Sequence, residues 1–328
     1  MAGIPVIDVH AHAVLPASLG AAGAAGPELG ATDGVPWFRV GEYLLHGVRY
    51  RDSPFMDVGL RLREMDRHGI DIQLLSPNPL TYFGDLDAAS AVAYCRAHND
   101  DLAAIVSAHP GRLLGAAQLP MQDIDAAVAE LGRAVTELGL RAAYIDTDPG
   151  RPLDDPAMDD FYTAVTDLDV PLFVHPTSIS DGGPPADPRL RRLDLDLLVG
   201  FAYQETLAVA ALVIGGVLDR HPRLDVCLSH GGGAIGSLAG RFESAARARA
   251  WSGERLRAEG FTSYLRRLWF DTHVHGDRVL AGLAELVGPG QLVYGSNFAG
   301  WDAEEPGSLP QAPGLDLTAN ARRLLRLG

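Results

Sequence analysis

Eight short apolar runs alternate with longer helical patterns along the chain, and this alternation constrains the fold more than any other feature. Strands that alternate with helices form a parallel sheet covered by helices, and closure at eight strands gives a barrel. We therefore predict one α/β domain over residues 1–328, a (β/α)8 TIM barrel. A doubly wound open sheet is the alternative, and the absence of a glycine-rich phosphate loop after the first strand weakens it. The predicted strands are Ile4–Val9, Ile70–Leu75, Leu113–Gln118, Ala142–Ile145, Pro171–Val174, Leu224–Leu228, Leu268–Asp271 and Leu292–Tyr294. The helical patterns include Val58–His68, Ala88–Ser107, Ile124–Leu138, Met158–Leu168 and Glu205–Arg220.

Two segments interrupt the alternation. Residues 17–54 are rich in glycine, alanine, proline and aromatic residues, and they are too long for an ordinary connection. Residues 180–192 form a second long connection, after the fifth predicted strand. Both segments follow the carboxyl end of a strand, where a barrel builds its site. We interpret residues 17–54 as a lid-like insertion over that site.

The net charge indicates which classes of partner the protein can bind, and the cysteine content indicates its cellular compartment. The net charge of -15 and the pI near 5.0 argue against a nucleic-acid or anionic-membrane surface, although a local arginine cluster could still bind a small anion. Cys95 and Cys227 lie far apart in apolar patterns and are typical of reduced core residues. No run of 18 apolar residues and no signal stretch is evident, so we expect a cytoplasmic protein without membrane insertion.

Polar side chains capable of catalysis stand at several predicted strand ends. His10 and His12 end the first strand and project to the same side, roughly 7 Å apart at the backbone. His175, His230 and Asn297 follow the fifth, sixth and eighth strands. Because the carboxyl ends of barrel strands meet on one rim, we expect these residues to lie close together, and a group of imidazoles can hold a divalent metal.

Motifs spread over nearly the whole chain carry a resemblance to a known family. The chain resembles the amidohydrolase superfamily, in the branch around aminocarboxymuconate-semialdehyde decarboxylase. The segments that carry it are His10-Ala11-His12, Trp37-Phe38-Arg39-Val40, Arg61-Leu62-Arg63-Glu64-Met65-Asp66, Leu119-Pro120-Met121-Gln122, Phe173-Val174-His175-Pro176 and Ser229-His230-Gly231-Gly232-Gly233. The opening histidine pair is shared by the whole superfamily, whereas the Leu-Pro-Met-Gln segment and the histidine–glycine run are specific.

The resemblance implies one divalent metal ion, usually zinc with manganese as the alternative, held by His10, His12 and His175. An aspartate after the eighth strand normally completes this site, and here the position is Asn297. A neutral amide binds such metals less well than a carboxylate, so we expect weaker metal binding or a bound water of higher pKa. Asp302 follows five residues later; it could approach the site from its loop, but we interpret it as a solvated loop carboxylate.

The resemblance also implies roles around the metal. His230 is the candidate general acid or base, since the pKa of imidazole is close to working pH. Arg39 and Arg241 resemble carboxylate-binding arginines, the second contributed across a homodimer interface; Arg49 and Arg51 are alternatives to Arg39. His275 matches a family position without a metal role, and with His273 it forms a second same-face pair, interpreted as substrate contacts or supports of the metal ligands. Aromatic residues that could line a pocket or simply pack are Trp37, Phe38, Tyr82, Phe83 and Trp301.

Three functions stay open at this point. The leading hypothesis is metal-dependent, non-oxidative decarboxylation of a small unsaturated or aromatic carboxylic acid. The second is hydrolysis or hydration of a small cyclic or conjugated substrate by a metal-activated water, because one scaffold supports several chemistries. The third is a non-catalytic ligand-binding barrel with a decayed metal site.

Overall fold

Eight parallel strands form one sheet in the computed structural model, which describes residues 5–179, 185–303, 310 and 314–328. The strands in chain order are β1 (Ile7–Ala13), β2 (Glu28–Thr32), β3 (Val35–Val40), β4 (Tyr43–His46), β5 (Ile72–Pro77), β6 (Leu113–Gln118), β7 (Ala142–Asp146), β8 (Leu172–His175), β9 (Val226–Leu228), β10 (Trp269–Asp271) and β11 (Leu292–Val293). The large sheet runs in the order β1-β5-β6-β7-β8-β9-β10-β11. Its edges meet where the amide of Val9 donates to the carbonyl of Tyr294 at 2.9 Å and the amide of Phe298 donates to the carbonyl of His10 at 3.1 Å. The predicted (β/α)8 barrel is therefore confirmed.

All eight predicted barrel strands form, and the differences lie at their ends. β1 continues to Ala13, four residues past the predicted end at Val9, because its histidines remain in the sheet. Ile4, the predicted first residue, lies outside the described part of the chain. β5 likewise starts later and ends later than predicted. Each of these two predicted strands ends before the first polar residue that follows its apolar run. In the structure, hydrogen bonding to a neighbouring strand decides where a strand ends.

Helices connect the strands and cover the outside of the barrel. They are α1 (Val58–His68), α2 (Ala88–Ala108), α3 (Ile124–Thr136), α4 (Asp159–Asp167), α5 (Phe201–Ile214), α6 (Val217–Arg220), α7 (Ile235–Ala248), α8 (Glu254–Glu259), α9 (Phe261–Leu265), α10 (Asp277–Val287) and α11 (Leu317–Leu324). Aspartate N-caps start several of them; Asp57, for example, accepts the amide of Leu60 at 2.7 Å. The predicted helix Glu205–Arg220 is split into α5 and α6 because Gly216 adopts a left-handed φ of +75°.

A bulge in β1 aims the first histidine into the barrel. The pairing of β1 with β5 shifts register between Asp8 and Ala11, so β1 has one more residue than its partner there. Val9 packs among the apolar side chains of the barrel interior, and His10 borders the same interior space. Regular alternation would place these two neighbours on opposite faces. Because of the bulge, the apolar side chain of Val9 fills the barrel interior, and the histidines that follow it lie at the mouth of the barrel.

The insertion at residues 17–54 folds as a three-stranded antiparallel sheet in the order β2-β3-β4. It has its own apolar cluster, in which the ring of Phe38 packs edge-on against Tyr50 with centroids 5.0 Å apart. The cluster extends to Tyr94 and Cys95 on α2, which anchors the small sheet to the barrel. In the second predicted loop, residues 180–184 lie outside the described residues, and residues 185–192 contain neither a helix nor a strand.

The segment Asp196–Ile214 passes the length and composition test for a membrane-crossing helix, with a hydropathy of 1.8. Its inner face, including Val209, Leu212 and Val213, is buried against the barrel, and a core helix of a globular protein passes the same test. Four apolar side chains near its start are exposed, namely Leu198, Val199, Tyr203 and Leu207.

Candidate active site

Three imidazoles converge at the carboxyl end of the barrel. The Nε2 atom of His12 lies 3.1 Å from the Nε2 atom of His10 and 3.2 Å from the Nε2 atom of His175. All three side chains are buried. β1 supplies the first two and β8 supplies the third, so the fold brings together residues that are 163 positions apart. The predicted convergence of these histidines is present in the structure.

The outer ring nitrogens of these imidazoles are bonded to acceptors. The Nδ1 atom of His10 donates to the carboxylate of Asp271 at 2.7 Å, that of His12 donates to the carbonyl of Pro77 at 2.9 Å, and that of His175 donates to the carbonyl of Pro176 at 2.7 Å. The proton of each neutral ring is therefore on Nδ1, and the three Nε2 atoms face one another with lone pairs. Burial, together with the neighbouring imidazoles, lowers the pKa of His10 and of His175 well below the ordinary range. Burial lowers the pKa of His12 to about 3.

This arrangement fits a divalent metal ion. Three lone pairs at this spacing repel one another unless a cation lies between them, and a buried neutral imidazole is the form that binds metal. Nitrogens bound tetrahedrally at about 2.0–2.1 Å from zinc stand about 3.3 Å apart. The two measured separations of 3.1 and 3.2 Å are close to that value. The three histidines can therefore hold one divalent ion with further coordination positions open.

His230 stands beside these ligands and is paired with a carboxylate. One of its ring nitrogens lies within 4.8 Å of the ligand nitrogens of His10 and His175. Its Nδ1 atom lies 2.8 Å from the Oε1 atom of Glu205, a fully buried residue of α5. Burial alone lowers the pKa of His230, but the charge and hydrogen bond of Glu205, together with the charges of Asp271 and Asp302, outweigh burial and raise this pKa to about 9. Burial in turn raises the pKa of Glu205. The pair can hold a proton next to the metal ligands.

The structure around Asn297 corrects the interpretation of Asp302 that was made from the sequence. The amide Nδ2 of Asn297 donates to the Oδ1 atom of Asp302 at 2.6 Å. The other oxygen of Asp302 lies 3.0 Å from Nε2 of His273 and 3.1 Å from Nε2 of His275. Only 15% of the Asp302 side chain is exposed, so the interpretation as a solvated loop carboxylate is wrong. The loop after β11 folds back because Asn297 and Ala299 adopt left-handed backbone conformations, and this turn brings Asp302 to the histidines.

The predicted arginines lie on different parts of the surface. Arg39, on β3 of the lid, pairs with Glu28 at 2.8 Å and also donates to the carbonyls of Ala24 and Gly41. Arg241 is exposed on α7, the helix that follows the His230 loop. The alternatives Arg49 and Arg51 are exposed at the end of the lid. The role of these arginines in substrate binding stays a prediction.

The predicted aromatic residues divide between packing and exposure. Phe38 is 0% exposed within the lid's own cluster, and the indole Nε1 of Trp37 donates to the hydroxyl of Thr32 at 3.1 Å. Trp301 is 67% exposed. Tyr82 and Phe83, two of the aromatic residues expected to line a pocket or to pack, both border a large cavity.

A cavity of about 770 Å³ opens between the lid and the loops that follow β5, β7 and β8. Its wall includes Asp146, which pairs in register with His175 at the end of the neighbouring strand. Burial raises the pKa of Asp146 to about 7. The lining combines apolar and polar side chains, which include Leu80, Tyr82, Arg151, Thr177, Tyr203 and Gln204. This is enough space for a small ring-containing ligand, and Asp146 is the lining residue that pairs in register with a histidine of the cluster.

Sequence reasoning missed three carboxylates that support the site. Asp271 orients His10, and Glu205 orients His230. Asp8 accepts hydrogen bonds from the amides of His10 and Ser296. Each carried a signal, because a charged residue at a strand end or inside an apolar run needs a buried partner. The sequence could not say which partner each one would meet.

A barrel whose strand ends bring together three neutral imidazoles and a histidine–carboxylate pair defines the class of metal-dependent barrel enzymes. The comparisons with known proteins narrow this class. The family profile described as Amidohydrolase matches residues 7–327. The chain therefore belongs to the amidohydrolase family, and it falls in the aminocarboxymuconate-semialdehyde decarboxylase branch.

Two curated relatives and one solved structure illustrate the branch. The 2-amino-3-carboxymuconate-6-semialdehyde decarboxylase of Dictyostelium discoideum is 31% identical over 248 residues, which are 75% of this chain and 68% of that protein. The 2-keto-4-carboxy-3-hexenedioate hydratase of a Sphingobium species is 27% identical over 73% of this chain and 69% of that protein. A dihydroxybenzoic acid decarboxylase from a Polaromonas species, solved with bound manganese and the inhibitor 2-nitroresorcinol, superimposes with a TM-score of 0.74 and 23% identity. That superposition covers 99% of this chain and 98% of the other, and at this identity it supports the fold.

Proposed function

We propose that this protein catalyses metal-dependent, non-oxidative decarboxylation of a small aromatic or unsaturated carboxylic acid. The observation that carries the proposal is the position of His230, which is paired with Glu205 and directed at the metal ligands. The Dictyostelium relative on this branch carries a decarboxylase name, which supports the same reaction class for this chain. The third hypothesis, a non-catalytic barrel, accounts for neither the histidine–carboxylate pair nor the converging imidazoles.

A divalent ion held by His10, His12 and His175 would supply positive charge that orients an anionic substrate and stabilises charge developing on it. The residues around the ion orient its ligands and handle the proton. Asp271 keeps the ring of His10 in the tautomer whose Nε2 lone pair faces inward. The buried surroundings strengthen each of these electrostatic interactions.

His230 is the proposed proton donor to the substrate carbon. The net reaction breaks the bond between this carbon and the carboxylate, the electron pair stays with the substrate and takes up the proton, and carbon dioxide leaves. The carboxylate of Glu205 keeps His230 protonated near neutral pH, because it raises the pKa of the imidazole. Solvent then returns the proton to His230 after each turnover. A positioned acid of this kind contributes about 10²- to 10⁴-fold to a rate.

The substrate carboxylate needs a cation, and several arginines are candidates. Arg39 could change its partner from Glu28 to a bound acid as the lid closes, and Arg241 could act on a neighbouring subunit of a homodimer. The exposed apolar side chains Leu198, Val199, Tyr203 and Leu207 support a subunit contact on the same side of the barrel as the cavity. We further propose a cytoplasmic location, for which the two buried free cysteines are the support, and no nucleic-acid or membrane partner.

Zinc and manganese are the two candidate metals. Imidazole ligands favour zinc, whereas manganese suits sites with more oxygen ligands. The asparagine at position 297 adds no charged oxygen, so the ligands of this site favour zinc over manganese. Metal analysis of the purified protein, followed by reconstitution with each ion, decides between them.

The decarboxylation test uses the metal-loaded protein and a panel of hydroxybenzoic acids and conjugated carboxylic acids. We expect trapped carbon dioxide to appear in equal amounts with the decarboxylated product, and His230→Gln to reduce the rate by about 10²-fold or more. Activity that does not depend on His230, or no carbon dioxide from the panel with the metal intact, would count against the proposal.

Hydration is the second candidate, because one relative on this branch carries a hydratase name. A divalent ion at this site would supply charge that activates water, and His230 could hold the proton that moves when this water adds to a conjugated double bond. Reactions run in ¹⁸O-labelled water separate the two functions. Label in the organic product supports hydration, whereas an unlabelled product together with carbon dioxide supports decarboxylation.

A further inference from the structure

A second group of metal-ligating side chains lies on the loops after β10 and β11. The Nε2 atoms of His273 and His275 lie 3.0 and 3.1 Å from the same oxygen, Oδ2 of Asp302. The three ligand atoms all lie within 4.8 Å of one another. We propose that His273, His275 and Asp302 form a second divalent-cation site, distinct from the site of His10, His12 and His175.

The chemistry of the donors suits a transition metal. Two imidazole nitrogens and one carboxylate oxygen form a ligand set that proteins use for zinc, manganese and ferrous iron. Ligand atoms at right angles around such an ion, about 2.1 Å from it, are about 3.0 Å apart. The two measured nitrogen–oxygen separations match this spacing, and the carboxylate brings one negative charge to the cation.

The surrounding loops hold the three ligands toward one another. His275 adopts a φ of +42°, a conformation that is uncommon for a residue other than glycine. The rings of His273 and His275 are 4.6 Å apart and nearly perpendicular, so they do not stack. The second oxygen of Asp302 accepts the amide hydrogen of Asn297 at 2.6 Å, which orients the first oxygen toward the imidazoles.

One side of this group is open to solvent. His275 is 57% exposed, whereas His273 is 1% exposed, so one ligand is held in the barrel mouth and the other borders water. The ring of His273 lies 5.8 Å from that of His10 and 5.6 Å from that of His230. A cation here therefore lies beside the catalytic histidines, and its open coordination positions could bind an anionic oxygen of a ligand. This site does not depend on the proposed decarboxylation, and it can be tested without any substrate.

The competing explanation is that both imidazoles donate ordinary hydrogen bonds to the carboxylate. Counting bound metal separates the two explanations. The full-length protein is stripped with a chelator, exchanged into chelator-free buffer and titrated with Mn²⁺, and the free ion is measured by electron paramagnetic resonance. We expect two equivalents to bind the wild type and one to bind His275→Ala. His275 is exposed, so its replacement leaves the core intact.

Two further variants show which bound Mn²⁺ ion occupies which site. His12→Ala is expected to lose the ion at the first site and keep the second, and bound Mn²⁺ should then broaden the ring resonances of His273 and His275. His46→Ala, a change of an exposed histidine on β4, is the matched control and is expected to keep both. Circular dichroism and thermal unfolding verify that each variant is folded. Loss of His275 should weaken the second equivalent by more than about 100-fold, above the 10- to 100-fold effect of losing an outer partner.

The outcomes are distinct. The proposal is overturned if the wild type and His275→Ala both bind two equivalents of Mn²⁺. It is also overturned if the wild type binds one equivalent and only His12→Ala fails to bind it. In both cases hydrogen bonds explain the contacts of Asp302. A single equivalent that His275→Ala loses and His12→Ala retains supports the second site while removing the first, and with it the basis for the proposed function.

Discussion

The Nδ1 atom of His230 lies 2.8 Å from the Oε1 atom of Glu205, a carboxylate buried on α5 and facing the barrel mouth. The same carboxylate oxygen accepts the hydroxyl of Ser229 at 2.6 Å. An apolar helix that carries one buried carboxylate is costly unless the charge has a partner. His230 is that partner, and the pairing raises the pKa of an imidazole that lies beside the three converging histidines.

Glu205→Gln should lower the pKa of His230, because the amide keeps the hydrogen bond but removes the negative charge. The wild-type pKa of His230 is raised from 6.5 to about 9, so the imidazolium and its stabilising ion pair are fully present below pH 6.5 and are lost as pH rises through about 9. In the variant the alkaline limb of the pH–rate profile should move to lower pH, and the rate at pH 8 should fall about 10²-fold. Glu137→Gln, at the exposed end of α3, is the control and should leave the profile unchanged. An unmoved alkaline limb in Glu205→Gln would assign the proton to another group.

Removal of the metal should lower both activity and stability. A ligand that binds only the folded state at 100 times its Kd stabilises by about 2.7 kcal/mol, so chelation should lower the melting temperature by several degrees. His175→Ala should abolish this dependence on metal, because it removes one of three nitrogens at the site. Differential scanning calorimetry with and without added zinc measures both effects. His46→Ala should retain the full response to zinc, and a response retained in His175→Ala would mean that the metal lies elsewhere.

Asn297→Asp should increase metal affinity and destabilise the metal-free protein. The amide nitrogen of Asn297 is 2.6 Å from an oxygen of Asp302, and two carboxylates at this distance repel unless a cation or a proton lies between them. We expect a loss of about 1–3 kcal/mol in the metal-free protein, measured by urea unfolding. The exchanged pair Asn297→Asp with Asp302→Asn should recover most of this loss, because one amide and one carboxylate again face each other. Additive effects of the two single changes would show that the two side chains do not interact.

Arg61→Lys should destabilise the protein through a buried network that includes the backbone carbonyl of His12. Arg61 is buried and donates to the carbonyls of Pro54 and His12 and to the side chain of Gln73, which in turn donates to Asp8. A lysine cannot make these bonds in three directions, so we expect a loss of about 3 kcal/mol in the free energy of unfolding. Arg63→Lys, an exposed change on the same helix, is the control and should lie within about 0.5 kcal/mol of the wild type. Equal stability of the two variants would show that the buried network adds nothing to the fold.

Local patterns in the sequence were sufficient for the eight strands, most of the helices and the position of His10 and His12 on one strand. Strand and helix periods depend on neighbours a few residues away, and His10 and His12 share a strand. The apolar runs before His175 and His230 placed these residues at the ends of their strands, and the family resemblance then implied their roles. These features could be predicted because each depends on a short segment.

The partners of these residues were decided only by the tertiary structure. The contact of His10 with Asp271 spans 261 positions, and that of His230 with Glu205 joins the loop after β9 to α5. Asp302 was misinterpreted for the same reason, since its burial depends on a turn in the loop that carries it and on two histidines from another loop. A period in the chain specifies which face a side chain occupies, whereas the free energy of burying a charge depends on which groups the closed barrel brings against it.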